Sequence, residues 1–229
     1  MNSGAQASAG PDAVIVHISD LHFSGFLRTV QEEGERRRIV EPHDFSRVME
    51  MESHLQLLLR DHHERMIVVI TGDLTTAAEP PAFETVASYL MGKYRVDDRT
   101  VVGLNLVDEF KMESRLLIVP GNHDRWHRAW FSPWWLYDRK KLFSEYFGRF
   151  SENPVHPLVV GNQSFIFFLV DSNVVIRNNP WNLYNLFGRG RVGENQLARL
   201  QAQLNQLQNS PGIQPPGFNF DRDILIDLL

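Results

Sequence analysis

Three short segments of the chain carry side chains that bind hard divalent cations. They read ISDLHF, ITGDLT and VPGNHD, and their candidate ligands are Asp20, His22, Asp73, Asn122 and His123. Carboxylate, amide and imidazole groups bind cations such as Mn, Fe, Mg and Zn. The chain has no cysteine, which excludes thiolate ligands and cysteine nucleophiles. The residue types therefore predict a metal site built from oxygen and nitrogen ligands.

The spacing of these residues suits the hydrolysis of a phosphate ester. Such a site needs ligands from several loops, a carboxylate that bridges two cations and an open position for water. Side chains at i and i+2 of a strand share a face, so Asp20 and His22 can hold one cation if extended geometry persists through Leu21. A glycine directly before Asp73 and another before Asn122 let the backbone turn sharply and expose the next side chain.

The elements that must position these residues alternate along the chain. Short, β-branched apolar runs predict buried strands at 13–19, 66–70 and 115–119, and helical spacing predicts helices at 45–64 and 83–94. Strands that alternate with helices indicate an α/β fold with a mostly parallel sheet. Each polar segment follows one of the strands, and ligands bind at the carboxyl ends of strands in such folds.

Further segments have weaker patterns. They are a polar stretch at 26–44, an irregular insertion at 95–114, an aromatic-rich helical segment at 126–148, a hairpin at 158–171 that turns at 161–162, an amphipathic helix at 193–208 and an apolar strand at 224–229. A strand that ends at the last residue suggests that the domain is truncated at its C-terminus. We therefore predict a disordered lead-in at 1–12 and an incomplete domain at 13–229.

Composition narrows the class of protein. With 229 residues, 43% of them hydrophobic and 22% charged, the chain suits one globular domain. Its formal net charge of -5 argues against nucleic acid as a partner. No run approaches the roughly 18 apolar residues that a membrane span requires. We expect a cytoplasmic protein without a membrane partner.

The three segments, in this order and each after an apolar strand, resemble the first three signature blocks of the calcineurin-like metallophosphoesterases. The match covers roughly residues 14–124. The resemblance implies a layered sandwich of sheets and helices. The segments ISDLHF and ITGDLT are together most similar to the branch that contains class III cyclic-nucleotide phosphodiesterases. Asp171-Ser172-Asn173 and GENQLARLQAQL resemble the later strand and helix of the family more loosely.

The resemblance also implies roles for the ligand residues. Asp20 and His22 bind the first metal, Asp73 bridges both metals and Asn122 binds the second. The implied reaction is hydrolysis of a phosphate ester by a water that two divalent cations activate. Whether the ester is a monoester or a diester stays open, as does the choice among Mn, Fe, Mg and Zn.

Two further residues of VPGNHD receive catalytic roles from the resemblance. His123 acts as the general acid that protonates the leaving alkoxide. Asp124 accepts a hydrogen bond from His123 and so fixes its ring. His127 and His156 are secondary candidates for contact with the substrate.

The chain departs from the family pattern towards its end. Family members carry a histidine after a later strand and a Gly-His-x-His pair beyond it, whereas this chain has no histidine after His156. The second cation is then left with two protein ligands, so weak metal binding and slow turnover are expected.

Two other functions stay open. One is a protein-binding scaffold of the same fold with a degenerate metal site, and the other is a nuclease. The expected partner in the leading interpretation is a phosphate ester, with a nucleotide as one candidate. The aromatic residues at 126–137 are interpreted as core packing, with base stacking and a partner surface as alternatives.

Overall fold

The described part of the chain forms an α/β structure around a short parallel sheet. The computed structural model describes residues 13–23, 27–32, 35–40, 45–95, 101–125, 139–150, 154–172 and 192–209. The strands are β1 Val14–Ile18, β2 Leu27–Glu32, β3 Glu35–Val40, β4 Met66–Thr71, β5 Tyr94–Arg95, β6 Val101–Val102, β7 Leu116–Val119, β8 Val155–Val160 and β9 Gln163–Phe168. The α-helices are α1 Phe45–His62, α2 Pro80–Leu90, α3 Arg139–Phe147 and α4 Glu194–Asn209. Short 3₁₀ turns cover His63–Arg65, His123–Arg125 and Gly148–Phe150.

The parallel sheet has the strand order β1-β4-β7. Val14 pairs with Met66 at the start of β1, and Val68 pairs with Leu116 at the start of β7. All three strands run in one direction, so their carboxyl ends share one edge. The predicted strands and their parallel arrangement are confirmed.

Side chains of β4 alternate between two hydrophobic clusters. Val68 and Ile70 belong to the larger cluster, together with side chains of α1, α2 and α3, whereas Ile67 and Leu117 face the smaller one. A strand covered on both faces is apolar throughout, as expected for a parallel sheet. The edge formed by the carboxyl ends of the strands is therefore fixed by packing on both faces of the sheet.

The hairpin β8–β9 forms a second layer over the smaller cluster. Its strands pair antiparallel from Val160 opposite Gln163, which confirms the predicted turn at 161–162. Leu158 and Val160 pack toward the parallel sheet. Phe168 packs on the opposite side, against Leu200 of α4. The layers thus follow the order helices, parallel sheet, hairpin, helix.

Some element boundaries differ from the sequence prediction. Helix α2 begins three residues earlier than expected because Pro80 and Pro81 occupy its first turn, where a missing N–H costs nothing. It also ends earlier, before a turn at Gly92 with φ +68°. The stretch at 26–44, interpreted only as polar, contains the antiparallel pair β2–β3. The charged residues of this stretch obscure the alternation of apolar and polar side chains that would predict strands.

The insertion predicted at 95–114 is part of the core where the structure describes it. Leu104, Leu106 and Met112 are at most 1% exposed. The backbone N–H of Leu104 donates to Tyr89 O at 2.9 Å, which ties the insertion to the end of α2. Apart from the two-residue strands β5 and β6, it is irregular as predicted.

Several predicted segments lie outside the described residues. They are the lead-in at 1–12, residues 126–138 of the aromatic segment and the strand at 224–229. The described part is consistent with the layered sandwich of the metallophosphoesterase fold. Among the described helices, none combines the length and the apolar character needed to cross a membrane.

Candidate metal centre

Three chain segments leave the carboxyl ends of the parallel strands and meet at one edge. We call them the first exit (residues 19–23, after β1), the second exit (72–76, after β4) and the third exit (120–125, after β7). The N–H of His22 donates to Asp73 O at 2.8 Å, and the N–H of Phe23 donates to Leu74 O at 2.8 Å. The first and second exits are therefore joined through their backbones.

Two glycines let the second and third exits approach closely. Gly72 has φ +89°, and a Cβ atom on it would lie 2.5 Å from Gly121 Cα. A Cβ atom on Gly121 would overlap the backbone nitrogen and the carboxylate of Asp73. Larger residues at either position would push the exits apart.

Three of the candidate ligands have a left-handed backbone conformation. The φ angles are 58° at Asp20, 48° at His22 and 48° at Asp73. The condition of extended geometry through Leu21 is therefore not met, and left-handed backbone at Asp20 and His22 brings their side chains together instead. Residues other than glycine avoid this conformation unless the surroundings enforce it, and such strain clusters at functional sites.

The side chains of Asp20, His22 and Asp73 converge. One ligand atom from each lies within 4.8 Å of the others. His22 Nε2 is 3.5 Å from Asp20 Oδ1 and 4.0 Å from Asp73 Oδ2. The Asp20 side chain is 64% exposed, whereas those of His22 and Asp73 are 20% and 17% exposed. The group is thus open to solvent on the side of Asp20.

Asn122 adds an amide to this group. One terminal atom of its carboxamide lies 3.1 Å from Asp73 Oδ2 and 3.2 Å from Oδ1. With the nitrogen toward Asp73 the amide donates hydrogen bonds to the carboxylate. With the oxygen toward Asp73 three acceptor atoms meet, an arrangement that a cation between them stabilises.

His123 lies over the same group. Its backbone N–H donates to Asp73 Oδ1 at 2.9 Å, and its Nδ1 lies 3.0 Å from Thr76 O. A carbonyl oxygen only accepts, so Nδ1 of this ring carries a proton. The rings of His22 and His123 have centroids 4.8 Å apart and planes at 81°.

The structure differs from the expectation at Asp124. Its carboxylate accepts hydrogen bonds from the N–H groups of Leu74, Thr75 and Gly121 and from the Thr75 hydroxyl, at 2.8–3.2 Å. The expected bond from His123 to Asp124 is absent, because the His123 ring bonds to Thr76 O instead. Asp124 is fully buried and joins the second and third exits. Burial raises the pKa of Asp124, and the hydrogen bonds from Gly121, Thr75 and Leu74 counteract part of that rise.

Sequence reasoning missed the ion pair between Arg125 and Asp171. Arg125 Nη2 lies 2.7 Å from Asp171 Oδ2, and the Arg125 side chain is 9% exposed. The only sequence signal for a role of Arg125 was its position directly after VPGNHD. Its partner lies 46 residues later, which no local pattern indicates.

The other predicted histidine candidates lie elsewhere or outside the described residues. His156 Nε2 is 3.3 Å from Ser114 O, at the amino end of β7 and so at the edge opposite the metal group. His156 is therefore not placed to contact a substrate at the exits. His127 is outside the described residues.

Comparison with known proteins agrees with this geometry. The family model for calcineurin-like phosphoesterases matches residues 13–214, so the chain belongs to that family. No curated protein shows a significant match to the chain. Membership implies metal-dependent hydrolysis of phosphate esters, and family members typically bind two metals.

Proposed function

We propose that the chain hydrolyses a phosphate ester with the help of two divalent cations held at the three exits. The observation that carries this proposal is the convergence of Asp20, His22 and Asp73 within 4.8 Å at the carboxyl edge of a parallel sheet. Family membership over residues 13–214 supports the same reaction class.

The donor set fits divalent cations. Asp20 and His22 would hold the first cation, Asp73 would bridge to the second and Asn122 would bind the second. Carboxylate, imidazole and amide oxygen suit Mn, Fe, Mg and Zn alike. When bound, such cations stabilise negative charge on the phosphoryl group and lower the pKa of a coordinated water.

The strained backbone of the exits supports a functional role for these residues. Asp20, His22 and Asp73 keep left-handed φ angles although glycine would adopt them without strain. The side chains at these positions must therefore contribute something that glycine lacks. Ligation of a cation is a contribution that all three residue types share.

His123 is proposed as the general acid. In the doubly protonated ring the Nδ1 proton is held by Thr76 O, so His123 gives its Nε2 proton to the leaving alkoxide and returns to the neutral form protonated on Nδ1. Asp124 supports His123 without contacting the substrate, because its hydrogen bonds to the second exit hold the turn on which His123 lies.

For the substrate we propose a phosphodiester, with a cyclic nucleotide as the first compound to test. This choice rests on the similarity of ISDLHF and ITGDLT to the cyclic-nucleotide branch. The domain is proposed to begin at residue 13, and location in the cytoplasm stays a prediction.

The experiment compares hydrolysis of an aryl phosphate monoester, an aryl diester and cyclic AMP by the wild-type chain, with manganese and with a chelator. The Asp73→Ala variant removes the proposed bridge and the acceptor of the His123 N–H. We expect its kcat/KM to fall more than 100-fold, beyond the roughly 10- to 100-fold typical when a residue that only supports a ligand is removed. Asp108→Ala is the matched control, because Asp108 is an exposed aspartate that pairs with Lys93.

The outcomes separate the alternatives. Weak manganese binding without hydrolysis of any ester favours the scaffold with a degenerate metal site, and cleavage of single-stranded DNA favours the nuclease. Equal hydrolysis by wild type and Asp73→Ala, or hydrolysis that the chelator leaves unchanged, would contradict the proposal.

A further inference from the structure

Arg125 lies directly after the residues of the candidate site and is almost entirely buried. Its side chain is 9% exposed, and its guanidinium carbon lies 5.2 Å from the ring centroid of Phe143 in α3. A guanidinium over an aromatic face is held by the ring quadrupole. Burial of this charge requires a nearby anion, because an isolated buried charge is very unfavourable.

Asp171 supplies that anion from the second layer. It lies three residues after the end of β9, and its Oδ2 is 2.7 Å from Arg125 Nη2. The carboxamide of Gln196 in α4 faces the backbone of Asp171. With its nitrogen toward Asp171 O it donates a hydrogen bond at 2.9 Å, and its oxygen then accepts one from Asp171 N–H at 2.7 Å. Asp171 is therefore held both at its backbone, by Gln196, and at its carboxylate, by Arg125.

The ion pair connects this second layer to His123. Residues 123–125 form a single 3₁₀ turn, closed by the bond from Arg125 N–H to Asn122 O at 3.1 Å. One end of the turn presents His123 to the metal group, and the other end is tied to Asp171. A displacement of Arg125 would tilt the turn and with it the His123 ring.

We propose that Arg125 and Asp171 are a positioning pair, which orients His123 by holding its turn against the segment after β9. The catalytic consequence rests on the proposed function of His123, whereas the structural consequence does not. An ion pair suits this role because it has one favourable geometry, while an apolar contact tolerates sliding. The hairpin layer thereby takes part in setting the site on the parallel sheet.

The structural consequence is tested without turnover. Long-range ¹H–¹⁵N spectra of imidazole nitrogens report which ring nitrogen carries the proton, and a His123→Gln variant identifies the His123 signals among those of nine histidines. In the wild-type chain we expect the proton on Nδ1, as the bond to Thr76 O requires. In Asp171→Asn, which keeps the shape and removes the charge, we expect a mixture of the two tautomers.

The catalytic consequence is tested by comparing kcat for substrates whose leaving groups differ in their need for a proton. An aryl phosphate ester releases a phenolate that needs no proton, whereas an alkyl ester of the same charge depends on the general acid. We expect Asp171→Asn to lower kcat for the alkyl ester about 10- to 100-fold and to change kcat for the aryl ester much less. Asp171→Glu, which restores the carboxylate, should recover part of the loss.

Control variants distinguish a failure of the proposed hydrolytic function from a failure of the proposed positioning pair. Asp108→Asn removes an exposed carboxylate and should change neither the spectra nor the kinetics. If the wild-type chain hydrolyses no ester, the proposed function fails and the spectra alone decide on the positioning pair. An unchanged His123 tautomer in folded Asp171→Asn would overturn the inference. If Asp171→Asn does not fold, Arg125→Lys is judged in the same way, because lysine keeps the charge and loses the planar fork.

Discussion

The first and third exits bring ligands to the same group of side chains but are held in different ways. The first exit is joined to its neighbour by backbone hydrogen bonds, such as that from Asp20 N–H to Gly72 O at 3.2 Å. The third exit is joined through the buried carboxylate of Asp124, which accepts four hydrogen bonds. Exposure follows the same division, since the Asp20 side chain is 64% exposed and Asp124 is fully buried.

The difference separates a proposed metal ligand, Asp20, from a residue that holds two exits together, Asp124. Asp20 has a strained backbone and an exposed carboxylate, which suits a ligand that must meet a cation from solvent. Asp124 has every oxygen occupied by donors and cannot reach a cation. The site therefore combines an accessible side with an anchored side, and mutations on the two sides should affect different properties.

The largest effect on stability is expected where the second and third exits touch. Gly72→Ala adds a methyl group 2.5 Å from Gly121 Cα at a φ of +89°, so the free energy of unfolding should fall by about 3 kcal/mol or more. Urea denaturation followed by tryptophan fluorescence measures the loss. Gly161→Ala is the matched control, because Gly161 has φ 60° in the hairpin turn and its loss should be about 1 to 2 kcal/mol. Equal losses in the two variants would show that the close approach of the exits is unimportant.

A smaller loss is expected at the anchored side itself. Asp124→Asn places an amide NH₂ against backbone N–H donors, which should lower the free energy of unfolding by about 2 to 4 kcal/mol. The same denaturation experiment measures it. Asp108→Asn, at an exposed ion pair with Lys93, should unfold at the same urea concentration as the wild type. A stable Asp124→Asn variant would mean that the carboxylate does not anchor the third exit.

The smallest effect on stability, and a clear effect on binding, is expected at the accessible side. Asp20→Gly removes a carboxylate and relieves a left-handed φ of 58°, so the free energy of unfolding should stay within about 1 kcal/mol of the wild type. The affinity for manganese, measured by calorimetric titration, should fall at least about tenfold.

The control for that variant is Lys111→Gly, which changes an exposed residue of φ 51° outside the site. It should leave manganese affinity unchanged. A similar affinity in Asp20→Gly and the wild type would remove Asp20 from the ligand set and leave the accessible side without a function.

Much of the fold was predictable because its signals are local. The apolar runs of β1, β4 and β7 and the two-residue turn between β8 and β9 depend on residues within a few positions of each other. The pair β2–β3 was missed because its strands are rich in charged residues. The irregular insertion was recognised, but its place in the core depends on α1 and α2 and has no local pattern.

The meeting of the candidate residues was predictable, whereas their geometry was less so. Asp20, His22, Asp73 and Asn122 follow predicted strands, and parallel strands bring their carboxyl ends together whatever the details. The left-handed turns were not predicted, because hydrogen bonds to a neighbouring exit enforce them. The partners of Asp124 and the pairing of Arg125 with Asp171 likewise depend on segments distant in sequence.

The sequence by itself determined which side chains could bind a cation and at which end of the sheet they would lie. Residue type and strand order are properties of the chain, and they suffice for that conclusion. Only the tertiary structure decided which of these side chains are open to solvent and which are buried among hydrogen-bond donors. That division depends on burial and on the direction of individual hydrogen bonds, and both arise when distant segments exclude water between them.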